Sequence, residues 1–229
     1  MERPLLLLDA VPYLRAYADQ TFVIKLGGEL VGAPDQLAQV ARDIAVLHRV
    51  GIGVVVVHGG GPQLDAMTQR MGLSVERIAG RRITSPEVLE AAKMVFRGQL
   101  SLDLVTAVLN QGERAVGLSG VDGRTVQAVR RPEALVTDDA GARVPVDFGE
   151  VGDVTGVDVE LLEGVLASGS IPVVSPLGVD SAGRVLNVNA DTMAAEIAVA
   201  LGAAKLLLLT RAPGILADVD DAGSLLHWT

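Results

Sequence analysis

The strongest constraint on the fold of this 229-residue chain is an alternation of short apolar runs with amphipathic segments. Residues 21–26 and 53–57 are β-branched, apolar runs of strand length, and each leads into a glycine-rich turn. Residues 33–50 between them carry apolar side chains at helical spacing. Strands that are apolar on both faces are typical of parallel sheets, because helices cover both faces. The order strand, helix, strand therefore predicts an α/β fold.

The same alternation continues along most of the chain. Strands are predicted over 114–118, 171–175 and 205–210, and helices over 62–71, 84–110, 157–167 and 191–201. Residues 124–152 instead contain short β-prone pieces separated by Asp and Gly turns, which predicts a small β-rich insertion. We therefore expect one domain, a three-layer αβα sandwich with a mostly parallel central sheet and this insertion.

Composition excludes several classes of function. The 28 acidic residues outnumber the 19 Lys and Arg, so the net charge of −9 argues against binding to nucleic acid. Apolar runs such as 54–57 and 206–209 are far shorter than the roughly 20 residues of a membrane span, so we expect no membrane association. With no Cys and three scattered His, neither thiol chemistry nor a Cys/His metal site is expected. We expect a cytoplasmic protein.

Three glycine-rich turns follow predicted strands, at residues 25–28, 58–61 and 118–120. Ligands of open parallel sheets bind at the carboxyl ends of the strands, where backbone amides and helix N-termini favour anions. None of the turns matches the two commonest nucleotide-binding glycine motifs. A single turn of this kind is more often purely conformational, but several at strand ends favour an anion site.

Lys25 is the first catalytic candidate. It lies near the end of an apolar strand beside a glycine turn, where a cation is costly unless it meets an anion. A fixed cation at a phosphate site can neutralise the charge that spreads over a transferred phosphoryl group. The alternative is a lysine that reaches solvent at the edge of the sheet.

Four further side chains stand at informative positions. Asp191 opens a predicted helix, where it is either an N-cap or a partner for a catalytic lysine. Asn187 is too early for capping, so its amide is a candidate for binding a substrate. Arg81 and Arg82 precede another predicted helix, and either is a carboxylate-binding fork or part of a solvated surface pair.

Four ordered segments carry a family resemblance: 22–28 (Phe-Val-Ile-Lys-Leu-Gly-Gly), 57–63 (Val-His-Gly-Gly-Gly-Pro-Gln), 80–84 (Gly-Arg-Arg-Ile-Thr) and 186–191 (Leu-Asn-Val-Asn-Ala-Asp). The chain resembles the acetylglutamate kinases of the amino acid kinase family over nearly its whole length. The resemblance implies ATP-dependent phosphorylation of the γ-carboxylate of N-acetyl-L-glutamate, a step of arginine biosynthesis. It also implies Mg²⁺ on the nucleotide, with no dedicated metal site on the protein.

The resemblance implies a role for each matching residue. Lys25 would stabilise the charge of the transferred phosphoryl group, and Asp191 would organise the catalytic lysine. The residues implied to bind the acceptor are Gly59, Gly60, Arg82 and Asn187. The residues implied to bind phosphate or nucleotide are Gly27, Gly28, Thr210, Arg211, Gly214 and Leu216.

The resemblance implies a single domain over residues 1–229 and divides it into three parts. It implies an N-terminal helical extension at 1–20, a mainly acceptor-binding lobe at 21–180 and the start of a nucleotide-binding lobe at 181–229. The family has a second catalytic lysine further downstream, so we expect this lobe to be incomplete at the C-terminus. Arg211 stands where the family commonly has an acidic residue.

Segment 8–17 resembles the extra helix of hexameric, arginine-inhibited members, which implies a homo-oligomer, a dimer or hexamer, and L-arginine as a feedback inhibitor.

Two alternatives remain open. One is a kinase of carrier-protein-linked aminoadipate in lysine biosynthesis, against which the sequence His-Gly-Gly-Gly-Pro at 58–62 argues. The other is a non-catalytic arginine-binding domain, as in acetylglutamate synthases. The absent second lysine favours it, whereas Lys25 and the intact glycines argue against it.

Overall fold

The structure is a computed structural model that describes residues 12, 16–78, 80–137, 141–210, 214, 216–218, 221 and 223–226. The helix predicted within residues 1–20 falls largely outside the described residues, and Arg211 lies outside them as well.

Strands and helices alternate along the described chain. The strands are β1 (Thr21–Leu26), β2 (Gly53–His58), β3 (Arg77–Ile78), β4 (Arg81–Arg82), β5 (Ala115–Ser119), β6 (Val126–Arg130), β7 (Ala134–Thr137), β8 (Arg143–Val146), β9 (Val151–Val157), β10 (Ile171–Ser175), β11 (Leu177–Val179), β12 (Val185–Val188) and β13 (Lys205–Leu209). The helices are α1 (Gly28–Val31), α2 (Pro34–Arg49), α3 (Gly61–Arg70), α4 (Pro86–Ala92), α5 (Ser101–Leu109), α6 (Glu160–Ala167) and α7 (Ala190–Ala200). A π-helical segment (Lys93–Leu100) joins α4 to α5, and a 3-10 turn (Asp122–Arg124) precedes β6.

The central sheet has the strand order β13-β1-β2-β10-β5, and each pair of neighbours is parallel. All five carboxyl ends therefore meet at one edge of the sheet. The prediction of a mostly parallel sheet is confirmed.

Two apolar clusters lie on opposite faces of this sheet. Alternate side chains of β1 point to opposite faces: Ile24 belongs to one cluster and Val23 to the other. The first cluster includes Ile44 of α2 and residues of α4, the π-helical segment and α5, and the second includes Leu162 of α6 and Ile197 of α7. Helices thus cover both faces, and the αβα sandwich is confirmed.

The predicted β-rich insertion is present, but it is part of a larger unit. Strands β6, β9, β11 and β12 form a closed barrel, and β7 pairs with β8 as a separate hairpin. Two of the barrel strands come from beyond the predicted insertion, because β11 and β12 follow β10 in the chain. The helix predicted from residue 157 begins at Glu160 instead, since Val157 pairs with Val126 in the barrel.

The helical layer that faces the site is one long helical unit over residues 86–109. Ser85 caps it, accepting a hydrogen bond from the Val88 amide at 3.3 Å. Its π-helical middle directs Phe96 and Leu100 toward the glycine turn after β2. In the described part of the chain, none of the helices combines the length and apolar character that crossing a membrane requires.

Candidate active site

A pocket of about 290 Å³ lies where the carboxyl ends of β1 and β2 adjoin. It brings together both residues predicted to be catalytic, all four residues predicted to bind the acceptor, and two glycines predicted to bind phosphate. These residues are Lys25, Asp191, Gly59, Gly60, Arg82, Asn187, Gly27 and Gly28. They come from distant segments of the chain, and the parallel sheet places them at one edge.

The two glycine turns approach each other so closely that side chains do not fit between them. A Cβ atom on Gly28 would lie 2.9 Å from the Cα of Gly60, and one on Gly60 would lie 2.8 Å from ring atoms of Phe96. The side chain of Gln63 joins the turns, because its Nε2 donates to the carbonyl of Gly28 at 2.7 Å. Helix α3 begins at Gly61, so the positive end of its dipole faces the pocket.

Lys25 forms an ion pair inside the pocket. Its Nζ is 2.9 Å from Oδ1 of Asp191, and its side chain is only 13% exposed. The alternative of a lysine at the sheet edge does not apply, since β1 lies between β13 and β2. Asp191 belongs to the first turn of α7, but Asn189 caps that helix by accepting from the amide of Thr192 at 2.9 Å. The carboxylate of Asp191 is thereby left for Lys25.

Arg82 turns into the site, whereas the neighbouring Arg81 is exposed. The Nη2 of Arg82 donates to the carbonyl of Gly61 at 3.0 Å and to Oδ1 of Asp65 at 2.5 Å. Among the described residues, its Nε is buried without a hydrogen-bond partner. A buried donor of this kind is costly unless a ligand accepts from it, so the site has capacity for an anionic group here.

Asn187 lies on the barrel strand β12 and is held by a buried threonine. Its Nδ2 donates to Oγ1 of Thr84 at 3.2 Å, which fixes the amide plane at the pocket wall. Sequence reasoning missed this contribution of Thr84, although the residue closes the segment 80–84 that carries the resemblance.

A second pocket, of about 360 Å³, adjoins the first and shares Arg82 and Asn187 with it. Arg131 lines its far side, where Asp153 accepts from the Nη2 of Arg131 at 2.5 Å. The Arg131 guanidinium also lies 5.6 Å from the ring centroid of Phe148. Nothing in the local sequence around Arg131 marks it as a site residue, because only the closure of the barrel brings it there.

His58 is fully buried beneath the first pocket, and burial lowers its pKa to about 4. It is therefore neutral at pH 7. Its Nδ1 is 3.1 Å from the carbonyl oxygen of Gly59. These contacts suit a side chain that supports the glycine turn rather than one that transfers protons.

The residues predicted to bind the nucleotide follow β13. Thr210 directly follows Leu209, the last residue of this strand. The end of the strand lies beside the first glycine turn, because the amide of Gly27 donates to the carbonyl of Leu209 at 2.9 Å. Leu216 forms an isolated bridge with Leu225. The pocket lining does not include Thr210, Gly214 or Leu216, and their roles stay predictions. Within the described residues, no group of three or more His, Asp or Glu side chains could hold a metal ion.

The fold agrees with comparisons to known proteins. Residues 20–227 match the model of the Amino acid kinase family, and the chain belongs to this family. Among its curated relatives is an acetylglutamate kinase of Myxococcus xanthus, 45% identical over 96% of this chain and 71% of the relative. Another is the acetylglutamate kinase of Novosphingobium aromaticivorans, 42% identical over 92% of this chain and 71% of the relative.

Solved structures show the same fold. N-acetylglutamate synthase from Neisseria gonorrhoeae, complexed with coenzyme A and N-acetyl-glutamate, has a TM-score of 0.74 and 28% identity over 90% of this chain and 45% of that chain. The carbamate kinase of Giardia has a TM-score of 0.57 and 18% identity over 89% of this chain and 78% of its own, which shows a shared fold alone.

Proposed function

We propose that this chain transfers the γ-phosphoryl group of ATP to the γ-carboxylate of N-acetyl-L-glutamate, a step of arginine biosynthesis. The observation that carries the proposal is the Lys25–Asp191 ion pair, held at 2.9 Å in a pocket that also contains Arg82 and Asn187. The identity of 45% to an acetylglutamate kinase supports the same reaction.

The pocket suits a direct transfer. The acceptor carboxylate is ionised at neutral pH and needs no general base. This agrees with His58, which is a poor base because burial lowers its pKa to about 4. An oxygen of this carboxylate attacks the γ-phosphorus while the bond to the bridging oxygen of ADP breaks, and an acyl phosphate forms. Lys25 stabilises the charge on the transferred oxygens, and Asp191 holds the ammonium in place.

The glycine turns bind the reacting groups through backbone amides. The amides of Gly27 and Gly59 already donate to the carbonyls of Leu209 and Leu26, at 2.9 and 2.8 Å, so these two glycines shape the turns. The amide of Gly28 serves the phosphates, and that of Gly60 serves the acceptor carboxylate at the positive end of α3. Mg²⁺ on ATP would supply further neutralisation of phosphate charge, without a metal cluster of the protein. The positioning of both reactants, rather than a covalent intermediate, supplies the rate.

Arg82 and Asn187 select the acceptor. Arg82 binds the α-carboxylate with the donors that Asp65 and Gly61 leave unused, Nε among them. Asn187 binds the acetylated amino group through its side-chain amide. A glutamate with a free amino group places a cation near these donors, so it is expected to bind more weakly.

The remaining assignments belong to the same proposal. Residues 21–180 mainly bind the acceptor, and residues 181–229 begin the nucleotide-binding lobe through Thr210, Arg211, Gly214 and Leu216. Binding of L-arginine is supported by the likeness to an N-acetylglutamate synthase complexed with coenzyme A and L-arginine, at 27% identity and a TM-score of 0.74. Feedback inhibition by L-arginine and a homo-oligomer stay predictions. The cytoplasmic location stays a prediction.

The test is hydroxylamine trapping of the acyl phosphate, with protein expressed from the natural gene. N-acetylglutamate, glutamate and aminoadipate are compared as acceptors, with ATP omitted as the blank. Hydroxamate formed chiefly from N-acetylglutamate supports the proposal. Hydroxamate chiefly from aminoadipate contradicts it, and so does arginine binding without any hydroxamate, which points to a regulatory domain.

A further inference from the structure

We infer that Asp65 is a positioning residue that sets the affinity for the acceptor by holding Arg82. This inference rests on the proposed function, because Arg82 binds the acceptor only if the reaction is the one described above. Asp65 lies in the second turn of α3 and faces the β3–β4 hairpin. The segments that carry the family resemblance do not include Asp65, so the resemblance implies no role for it.

One carboxylate holds both strands of the hairpin. Oδ1 of Asp65 accepts from Nη2 of Arg82 at 2.5 Å, and Oδ2 accepts from Nη2 of Arg77 at 2.7 Å. Arg77 on β3 and Arg82 on β4 stand opposite each other in the hairpin register. Asp65 therefore fixes the hairpin to α3 from both strands at once.

Helix α3 also presents its N-terminus to the pocket. Gly61 begins the helix, and its carbonyl accepts from the same Nη2 of Arg82 at 3.0 Å. The glycine turn and Arg82 are thus attached to one rigid element. The glycine turn is proposed to bind the γ-carboxylate of the acceptor, and Arg82 its α-carboxylate. Helix α3 therefore sets the distance between these two binding groups, because Asp65 attaches Arg82 to the helix.

Exposure separates the two ion pairs of Asp65. The Arg77 and Asp65 side chains are 44% and 45% exposed, so a contribution to folding stability does not explain this pair. Arg82 is only 10% exposed and lines both pockets. With Nη2 engaged by Asp65 and Gly61, the orientation of the guanidinium at the pocket wall is fixed, and a carboxylate in the pocket would accept from its remaining donors.

Asp65→Asn keeps the size of the side chain and removes its charge. We expect the KM for N-acetylglutamate to rise about tenfold while kcat changes less than about twofold, because the lost interaction serves binding in ground state and transition state alike. The KM for ATP should stay unchanged. Asp43→Asn is the matched control, since Asp43 is an exposed residue of α2 whose hydrogen bond, from Gln39, lies within that helix.

Arg77→Gln provides a second, independent variant. Alone it should raise the KM for N-acetylglutamate by about threefold, and it should add nothing to Asp65→Asn, because Arg77 acts through the same carboxylate. Additive effects would overturn the inference. An unchanged KM for Asp65→Asn, or parallel losses in kcat and in both KM values, would also overturn it.

The failure of the proposed function gives a different result. Wild-type protein that forms no hydroxamate refutes the function, and the affinity for N-acetylglutamate is then compared by calorimetry. A dissociation constant about tenfold higher for Asp65→Asn than for wild type still supports the positioning role. Equal dissociation constants, or no binding to either protein, overturn it.

Discussion

The two walls of the candidate active-site pocket differ in which atoms form them: one is mostly backbone and the other mostly side chains. The turn wall, formed by Lys25 and the glycines at 27–28 and 59–60, is mostly backbone at the ends of paired strands. The hairpin wall, formed by Arg82 of the hairpin and Asn187 of the adjoining barrel, consists of side chains that Asp65 and Thr84 hold through an ion pair and a hydrogen bond. Sheet pairing fixes the first wall, whereas single side-chain contacts fix the second. Changes in the turn wall should therefore affect the chemical step, and changes in the hairpin wall should affect acceptor binding.

The largest effect is expected for Lys25→Ala in the turn wall. If Lys25 stabilises the transferred group as proposed, loss of this cation should lower kcat by about 10³-fold, with the KM for N-acetylglutamate nearly unchanged. Lys93→Ala is the matched control, because Lys93 pairs with Glu90 on the helix surface. Hydroxamate kinetics measure both variants. A raised KM with an unchanged kcat would show that Lys25 acts in acceptor binding, the role expected of the hairpin wall.

Gly60→Ala tests whether the turn wall depends on close backbone approach. The new methyl group would lie 2.8 Å from ring atoms of Phe96, so the turn or the π-helical segment must shift. We expect kcat to fall about 10²-fold and the free energy of unfolding to fall by about 1–3 kcal/mol. Gly164→Ala on α6 meets open space, and it should be neutral or stabilise the fold by up to about 1 kcal/mol. Equal behaviour of the two variants in chemical denaturation would contradict the packing argument.

Arg82→Lys tests the hairpin wall. Lysine keeps the charge but lacks the planar fork that reaches Asp65 and Gly61, so the KM for N-acetylglutamate should rise about 10-fold to 100-fold. The kcat should change only a few-fold, which is the reverse of the Lys25 result. Arg42→Lys should behave as wild type, because Arg42 is an exposed residue of α2 whose hydrogen bond, to Gln39, lies within that helix. A fall in kcat at constant KM would remove the distinction between the walls.

The smallest effect concerns pH and the support of the turn wall by His58. The unfolded chain protonates this residue with an ordinary pKa of 6.5, but burial lowers the pKa in the folded chain to about 4. Between these two pKa values the unfolded state therefore binds more protons than the folded state. The free energy of unfolding should fall by about 2 kcal/mol from pH 7 to pH 5. Denaturation of His58→Gln over the same range should show a flatter dependence. Equal slopes would mean that His58 is not the responsible group.

The turn wall could be predicted from the sequence because its signals are local. The bounds of β1 follow from one apolar run, and the glycines stand directly after strands whose parallel pairing brings their ends together. Lys25 and Asp191 were expected to meet, and their ion pair has the predicted partners. The catalytic and binding roles of these residues stay predictions that the variants above test.

The hairpin wall could be predicted only in part. Arg82 and Asn187 were expected, but Asp65, Thr84 and Arg131 reach the site only through the packing of α3, the hairpin and the barrel. The closure of the barrel by β11 and β12 was missed for the same reason, since strand pairing across long sequence separations leaves no local pattern. Charged partners at ordinary helix positions carry no signal before the tertiary structure is known.

The pairing of β1 with β13 has a consequence for how the chain folds. Phe22 stands opposite Lys205, so one side of an early, mostly apolar strand is completed by the last strand of the described sheet. During synthesis, β1 leaves the ribosome long before this partner exists, and its hydrogen-bonding edge stays open in the meantime. Contacts over such sequence distances also make folding slow. We therefore expect the nascent chain to be more prone to aggregation before β13 has been made than afterwards. The site at the strand ends is also completed late in synthesis, because Asp191 lines it.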